Sequence, residues 1–326
     1  MIEQNKIYNA DCLEIARQLP DGCVNLLIAD PPYFEVKGAF DFVWPNFEAY
    51  LSDVEKWAAE FSRILSPTGT LFWYGHALKI AYAQVIFDRH LTLLNSLVWE
   101  KTECQTKRAD PEQSRRFAPV TERILMYSKE KDTTGLSSIM DNPDCFQSIK
   151  AYMRAQRKMV MQAKGFTKQS EFDEWINEIT ETRSIASRHY FADSQFCIAT
   201  PEIWAKMQAT GFFQREYEDL RREYEDLRRP FNNETILTDV LKFSQETHIT
   251  RNYEHDTKKP ETMTRSLILT CSRKNDLIFV PFAGSGTECA MAAREGRRFI
   301  GCEIDPKHHK TASDRTEKAV QVQTLF

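Results

Sequence analysis

The sequence contains no run of roughly eighteen or more apolar residues, the length an α-helix needs to cross a bilayer, so no membrane partner is expected. Its eight cysteines, at positions 12, 23, 104, 145, 197, 271, 289 and 302, form no CxxC pair and show no Cys/His spacing of the zinc type. Reduced, mostly buried thiols are the expectation, with no metal. The opening stretch MIEQNKIYNADCLEIARQLP carries acids where a secretory leader would be basic and apolar, and it reads as cytoplasmic. Hydrophobic residues at 42% and charged residues at 28% exclude a chain disordered throughout. An overall excess of positive charge, the usual footprint of a nucleic-acid binder, is also missing, since the formal net charge is −4.

That total hides an asymmetry. Residues 1–100 hold seven Lys/Arg against thirteen Asp/Glu, whereas residues 101–168 hold fourteen against eight, a swing from −6 to +6. A basic face inside an acidic protein suits a local polyanion site; a solvated basic surface is the alternative.

What is present is a β–α rhythm. KIYNADCLEIARQLP predicts a short strand and a helix, and CVNLLIAD, apolar without alternation, predicts a buried strand. Helix-period residues run from Tyr50 to Leu65, ending before SPTG, which reads as a turn; TLFWYG is the next strand. A helix over Leu78–Arg89 and the strands LTLLNSLVWEK and TERILMYSK follow. From about 132 to 233 the pattern becomes polar and helical, without β–α alternation. Within it REYEDLR occurs twice in tandem, placing Tyr217, Leu220, Tyr224 and Leu227 on one helix face. Two heptads suit a helix packed on its own protein better than a coiled coil, although they leave room for a homodimer. After Glu261 the rhythm resumes with TRSLILTCS as helix, DLIFVPF as strand, GSGTECAMAAREG as a turn into a helix and RRFIGCEID as strand. Strands supplied from both ends predict an α/β fold with a doubly wound, mostly parallel sheet. Its halves, 1–131 and 234–326, would flank a mainly helical insert, 132–233.

Gly284 and Gly286 let the chain turn tightly after a strand, and the helix starting near Thr287 points its N-terminus there. Glu303, 17 residues after Gly286, ends the following strand, where a carboxylate can take both hydroxyls of a ribose. A dinucleotide fingerprint wants a third glycine at position 289; Cys289 stands there and weakens a nicotinamide reading. At the other end, NLLIADPPYFEV closes an apolar strand on Asp30, and Pro31 and Pro32 fix the backbone that follows. A carboxylate and a fixed carbonyl can each accept one hydrogen of an exocyclic amine, and Tyr33 can stack on the attached ring. An aromatic amine is a poor nucleophile because its lone pair is delocalised. Holding both N–H bonds favours the pyramidal nitrogen needed as a bond forms. A simple strand-ending turn would use the same residues.

Taken together, DPPY near the start, a central insert, then HDTKKPETM and PFAGSGT near the end resemble the β-group of amino-directed DNA methyltransferases. The resemblance covers nearly all the chain outside the insert. It implies a Rossmann-like fold, S-adenosyl-L-methionine as cofactor, double-stranded DNA as partner, and methylation of a base amine in restriction–modification or a related setting. Asp at the first motif position points to adenine N6 rather than cytosine N4; the cytosine-N4 enzyme is one alternative, and a non-catalytic DNA-binding subunit of the same fold is another. Carried onto this sequence, Asp30, Pro31, Pro32 and Tyr33 would be catalytic. Phe282, Ala283, Gly284, Ser285, Gly286 and Thr287 would wrap the cofactor, and Glu303 would hold its ribose. Asp11 and Cys12 in NADCLE would lie by its adenine. His255 and Lys259 in HDTKKP would lie near its methionine end, with Lys259 meeting the carboxylate. One departure stands out: the family's Asp two residues before the Phe is here Val280, so affinity would be weaker, or Asp30 or another carboxylate would take over that task.

The target amine is hidden in a duplex, so the base must flip out at a cost of a few kcal/mol. Arg108, Arg115 and Arg116 in KTECQTKRADPEQSRRF are candidates for phosphate contacts, although a solvated loop has the same composition. In the insert, TKQSEFDEWINEITETRSIASRHYF resembles a helix-turn-helix with Ser184, Ser187, Arg188 and His189 on the second helix; a plain helical hairpin is the alternative.

Overall fold

The computed structural model describes residues 2–36, 41, 43–101, 115, 117, 119–130, 143–193, 195–232, 238–244 and 259–323. The chain divides into two compact units, one formed by Met1–Lys131 with Pro230–Phe326 and the other by Asp132–Arg229.

The first unit opens with β1 (Lys6–Tyr8), α1 (Cys12–Ala16), β2 (Val24–Ala29), α2 (Phe47–Ile64), β3 (Leu65–Gly75), α3 (Ile80–Phe87), β4 (Thr92–Lys101) and β5 (Thr121–Ser128). The second unit holds α4 (Gln147–Lys164), α5 (Gln169–Ile179), α6 (Pro201–Gln208) and α7 (Tyr217–Leu227). The chain then returns to the first with β6 (Val240–Phe243), α8 (Glu261–Cys271), β7 (Leu277–Val280), α9 (Thr287–Arg294), β8 (Arg298–Cys302) and α10 (Pro306–Gln323).

Among the described residues eight strands form one sheet in the order β1-β8-β7-β2-β3-β5-β4-β6. All pairs are parallel except those of β5, which runs antiparallel to both β3 and β4. Alternate residues of β2 serve opposite faces: Leu27 and Ala29 pack with α1, α2 and α3, while Leu26 and Ile28 pack with α8, α9 and α10. Both faces are thus buried, which explains why these strands read as continuous apolar runs.

The most consequential feature is the neighbour relation of β2 and β7. They are parallel, with Leu26 opposite Ile278 and Leu27 opposite Phe279, although about 250 residues separate them in sequence. Helices leave these two strands toward opposite faces, so their C-terminal ends border a crevice at the switch point of the sheet. Asp30 and Phe282 each lie three residues beyond the paired Leu27 and Phe279, which brings the two motifs of the sequence side by side.

Some local expectations change. The SPTG stretch falls inside β3, but the pairing jumps from Val24–Leu65 to Leu26–Thr70, so the chain bulges there instead of turning back. β6 was not expected from the sequence; VLKF is short and gains its order by pairing with β4.

In the second unit the stripe expected on REYEDLR faces its own core. Leu220 and Tyr224 are buried, and the Tyr224 ring stacks on Phe146 at 4.3 Å. The expected second helix of a helix-turn-helix is absent. Over the Ser184–His189 stretch there is instead a five-residue π-helical turn, Ala186–Tyr190, too short to lie along a groove. Ser184 lends its carbonyl to the Arg188 N–H, the Ser187 hydroxyl is tied to Asn177, and the His189 ring contacts the Gln195 carbonyl. Arg188 itself is exposed.

Candidate active site

A cavity of about 1160 Å³ opens at the C-terminal ends of β2 and β7, entirely within the first unit. Its lining brings together Asp11, Cys12, Asp30, Pro31, Pro32, Tyr33, Lys259, Phe282, Ala283, Gly284, Ser285, Thr287 and Glu303, which is most of the residues singled out from sequence.

Glu303, Asp11, Cys12 and a group of aromatic rings line one part of this cavity. Glu303 follows β8, and its carboxylate accepts the Gly284 N–H at 2.8 Å and the Asp305 N–H at 2.9 Å. A carboxylate has about four lone-pair positions, so this geometry fixes the group without exhausting it for two ligand hydroxyls. Burial raises its pKa above the ordinary carboxylate range. Asp11 caps α1 by accepting the Leu13 N–H at 2.7 Å, which sets Asp11 and Cys12 at the same compartment. Burial also raises the Cys12 thiol, so it remains neutral packing. Trp44, Trp57 and Phe282 add aromatic walls, Trp57 meeting Phe282 edge-on at 5.1 Å.

The glycine turn between β7 and α9 is braced from behind. Gly284 and Gly286 have φ of 50° and 76°, the left-handed region that glycine adopts without penalty. A Cβ on Gly286 would also lie 2.9 Å from the Ala312 backbone, so Gly286 is the point where α10 closes on the turn rather than part of the lining. Arg315 of α10, 1% exposed, donates to the Ser285 carbonyl at 3.2 Å and the Thr287 hydroxyl at 2.7 Å while pairing with Glu261 at 2.5 Å. The missing third glycine is also explained. Cys289 packs on β8 where Gly301 has no side chain; a Cβ there would come within 2.8 Å of the Cys289 sulfur.

At the other end lies the Asp30 cluster. The Tyr33 hydroxyl donates to Asp30 Oδ1 at 2.5 Å, and the Tyr33 backbone N–H donates to the buried Asp41 carboxylate at 2.6 Å. Lys259, 5% exposed, directs its ammonium at Asp30 Oδ1 (3.0 Å), Glu122 Oε2 (2.9 Å) and the Tyr33 hydroxyl (3.1 Å). Those three oxygens account for the three protons of an ammonium. This revises the expectation that Lys259 meets a cofactor carboxylate: its cation is committed to the protein's own acids. Glu122 also pairs with Lys101 at 2.5 Å, and these two cations hold its pKa down to about 2 against the opposing effect of burial. Asp30, desolvated and paired with one cation only, is shifted above the usual range instead, Lys259 offsetting part of the effect and the Glu122 charge adding to it. Tyr33 is pushed well above its ordinary value by burial and by the acids beside it, so it stays a protonated donor.

Glu122, Asp41 and Arg315 were not foreseen. Each is an ordinary charge in sequence, and the cue for Glu122, an acid opening the apolar strand TERILMYS, is weak. Val280 is 1% exposed among Ile28, Ile278 and Cys289, so an acid at that position would be placed in an apolar cluster. Of the other expected contacts, Arg115 is exposed and outside the lining, and Ser184, Arg188 and His189 belong to the second unit. Arg108, Arg116 and His255 lie outside the described residues. Among the described residues no group of three or more His, Cys, Asp or Glu is arranged to hold a metal ion, and no helix is long and apolar enough to cross a membrane.

Comparison with known proteins bears on the family and the fold. A family model described as DNA methylase, N6_N4_Mtase, matches residues 24–314. The Type II methyltransferase M.HinfI of Haemophilus influenzae is 24% identical over 330 residues, covering 95% of this chain and 68% of its own length. Among solved structures, a putative DNA modification methylase of Thermus thermophilus, TTHA0409, complexed with S-adenosyl-L-methionine, superimposes with a TM-score of 0.51 at 18% identity, covering 97% of this chain and 95% of its own. PvuII DNA methyltransferase, described as cytosine-N4-specific, gives a TM-score of 0.54 at 12% identity, covering 98% and 90%. Likeness at this level of identity concerns the fold.

Proposed function

Because the chain belongs to the N6_N4_Mtase family of DNA methylases, we propose that it transfers a methyl group from S-adenosyl-L-methionine to N6 of an adenine flipped out of double-stranded DNA. The observation that carries this reading is the shared cavity: the Asp30-Pro31-Pro32-Tyr33 segment and Gly284, Ser285 and Thr287 of the glycine turn, with Glu303, line one space. Volumes of roughly 300–1,000 Å³ are typical of ligand pockets, so about 1160 Å³ suits a nucleoside cofactor together with a base.

The residues fit such a cofactor by their chemistry. Glu303 keeps acceptor capacity for ribose hydroxyls, and Trp57 and Phe282 offer apolar contact. When bound, the cofactor supplies an electrophilic methyl group on a sulfonium. The protein's part is to prepare the amine. Asp30 and the Pro31 carbonyl accept its two N–H bonds, drawing the nitrogen lone pair out of conjugation. Tyr33 and Lys259 hold the Asp30 carboxylate in place, and Lys259 favours its ionised, accepting form. A carboxylate whose pKa lies above the usual range is also a suitable first receiver for the proton that leaves the methylated nitrogen. The second unit, with Arg188 exposed, would contribute to target recognition, and Arg115 to phosphate contacts.

The test is mass spectrometry of nucleosides from DNA incubated with the protein and S-adenosyl-L-methionine. N6-methyldeoxyadenosine is expected with the wild type and is expected to fall at least 100-fold, roughly 3 kcal/mol of transition-state stabilisation, with Asp30→Ala. N4-methyldeoxycytidine would reassign the base. Cofactor binding without any methylated product would favour a non-catalytic subunit.

A further inference from the structure

Glu288 has no part in the reading above, yet it lines the same cavity. It sits in the first turn of α9, directly after the glycine turn, and is 6% exposed. Among the described residues its carboxylate has no salt bridge and no side-chain hydrogen-bond partner; only its own backbone N–H is directed at it. The cations nearby are engaged elsewhere, Arg315 by Ser285, Thr287 and Glu261, and Lys259 by Asp30 and Glu122. The Tyr74 hydroxyl, buried beside these acids, has no hydrogen-bond partner among the described residues. A buried carboxylate with no ion pair among the described residues, lining a cavity, is costly to keep charged unless a ligand supplies the opposite charge.

Resting on the reading of the cavity as an S-adenosyl-L-methionine site, we propose that Glu288 receives the α-ammonium group of the cofactor's amino-acid moiety. An ammonium offers three N–H donors to a carboxylate, whereas a sulfonium offers none, and the ammonium is therefore the better hydrogen-bonding partner. The ribose of the same ligand is assigned to Glu303, so two acids would hold one molecule at two separate points.

The protonation state of Glu288 gives this contact a pH signature. Burial, with the Asp30 charge adding to it, moves its pKa up to about 7, while Arg315 and Lys259 pull the other way. The groups facing it are Asp30 after β2, Tyr74 on β3, Lys259 ahead of α8, Arg315 on α10 and Cys289 on α9 itself. Below pH 7 the acid is largely protonated and offers no charge to an ammonium; above it the carboxylate is present. Ligand affinity through this contact therefore rises with pH between about 5.5 and 7.5, and binding at the lower end releases a proton.

The experiment is isothermal calorimetry of the full-length protein and Glu288→Gln with three probes. These are S-adenosylmethionine, S-adenosylhomocysteine, which keeps the ammonium but lacks the sulfonium charge, and 5′-methylthioadenosine, which lacks both. On the order of a tenfold weakening is expected for the first two ligands, with 5′-methylthioadenosine unchanged. The affinity of wild type for S-adenosylhomocysteine should climb across the stated pH range, and that of Glu288→Gln should climb less. Equal weakening of all three ligands overturns the inference in favour of a purely structural role, and loss confined to S-adenosylmethionine overturns it in favour of the sulfonium. Unchanged affinity for all three overturns the inference alone, leaving the cofactor site standing; wild-type protein that binds none of them removes the proposed function as well. The pH dependence of wild type supplies a readout that does not depend on how well the variant folds.

Discussion

Lys259 and Glu122 show how a charge cluster can be buried beside the Asp30 carboxylate. One ammonium serves two acids, and Glu122 keeps its ionised form because a second cation, Lys101, stands on its other oxygen. The linkage has a definite sign. Glu122 titrates near 2 in the folded protein against 4.5 ordinarily. Its contribution is therefore fully present above about pH 4.5 and is lost as pH falls toward 2. Glu122→Gln should lower stability at pH 7 by about 3 kcal/mol and flatten the decline of stability between pH 4.5 and 2. Urea unfolding of both proteins at several pH values measures this, and parallel curves would show that the ion pairs contribute nothing net. Asp30 and Lys259 could be singled out in sequence because each lies in a dense motif. Glu122 could not be, because its role depends on β5 lying between β3 and β4, with Gly75 opposite Arg123 and Trp99 opposite Glu122. No local pattern encodes that cross-strand placement.

At the scale of elements, the β7–α9–β8 unit was legible because its strand, its glycine turn and its terminal acid are contiguous in sequence. Its departure from a three-glycine fingerprint becomes intelligible only in three dimensions. The small residue stands on the strand instead of the helix, Gly301 accommodating the Cys289 side chain, and a Cβ added to Gly301 would also lie 3.0 Å from the Ile7 side chain of β1. Gly301→Ala should therefore force α9 and β8 apart and cost about 1–3 kcal/mol. Combining it with Cys289→Ala should recover part of that loss, so that the double variant is more stable than the sum of the single effects. Thermal unfolding of the four proteins tests the coupling; strict additivity would show that the sulfur is not what meets the new methyl group. The π-helical turn at Ala186–Tyr190 was illegible for the opposite reason. Its residues carry helix-like periodicity, but the chain is held by tertiary bonds from Asn177 and Gln195 rather than by a continuing helix.

For the molecule as a whole, the order of the motifs predicted one sheet built from both ends of the chain, and the parallel pairing of β2 with β7 realises it. The same distribution leaves DNA binding to local charge, because the overall balance is −4 and residues 132–229 hold 14 Lys/Arg against 16 Asp/Glu. Helix α4 departs from that balance: Gln147–Lys164 contains Lys150, Arg154, Arg157, Lys158 and Lys164 and no acid. Lys150 is buried and donates to the Asp193 carbonyl, and Arg154 pairs with the Asp193 carboxylate, so these two are tied to the fold of the unit. Lys158 and Lys164 are exposed. If α4 meets the phosphate backbone, each such lysine that neutralises a phosphate releases a condensed counterion and adds about 0.9 to the magnitude of the slope of log K against log salt. Lys158→Glu combined with Lys164→Glu should then weaken binding to all duplexes alike and reduce that slope by up to about 2. Arg188→Ala, by contrast, should alter the preference among sequences if it touches bases, with little change in slope. Fluorescence anisotropy over a range of salt concentrations, on duplexes with and without a methylated site, separates the two behaviours, and an unchanged slope in the double lysine variant would exclude α4 from the backbone contact.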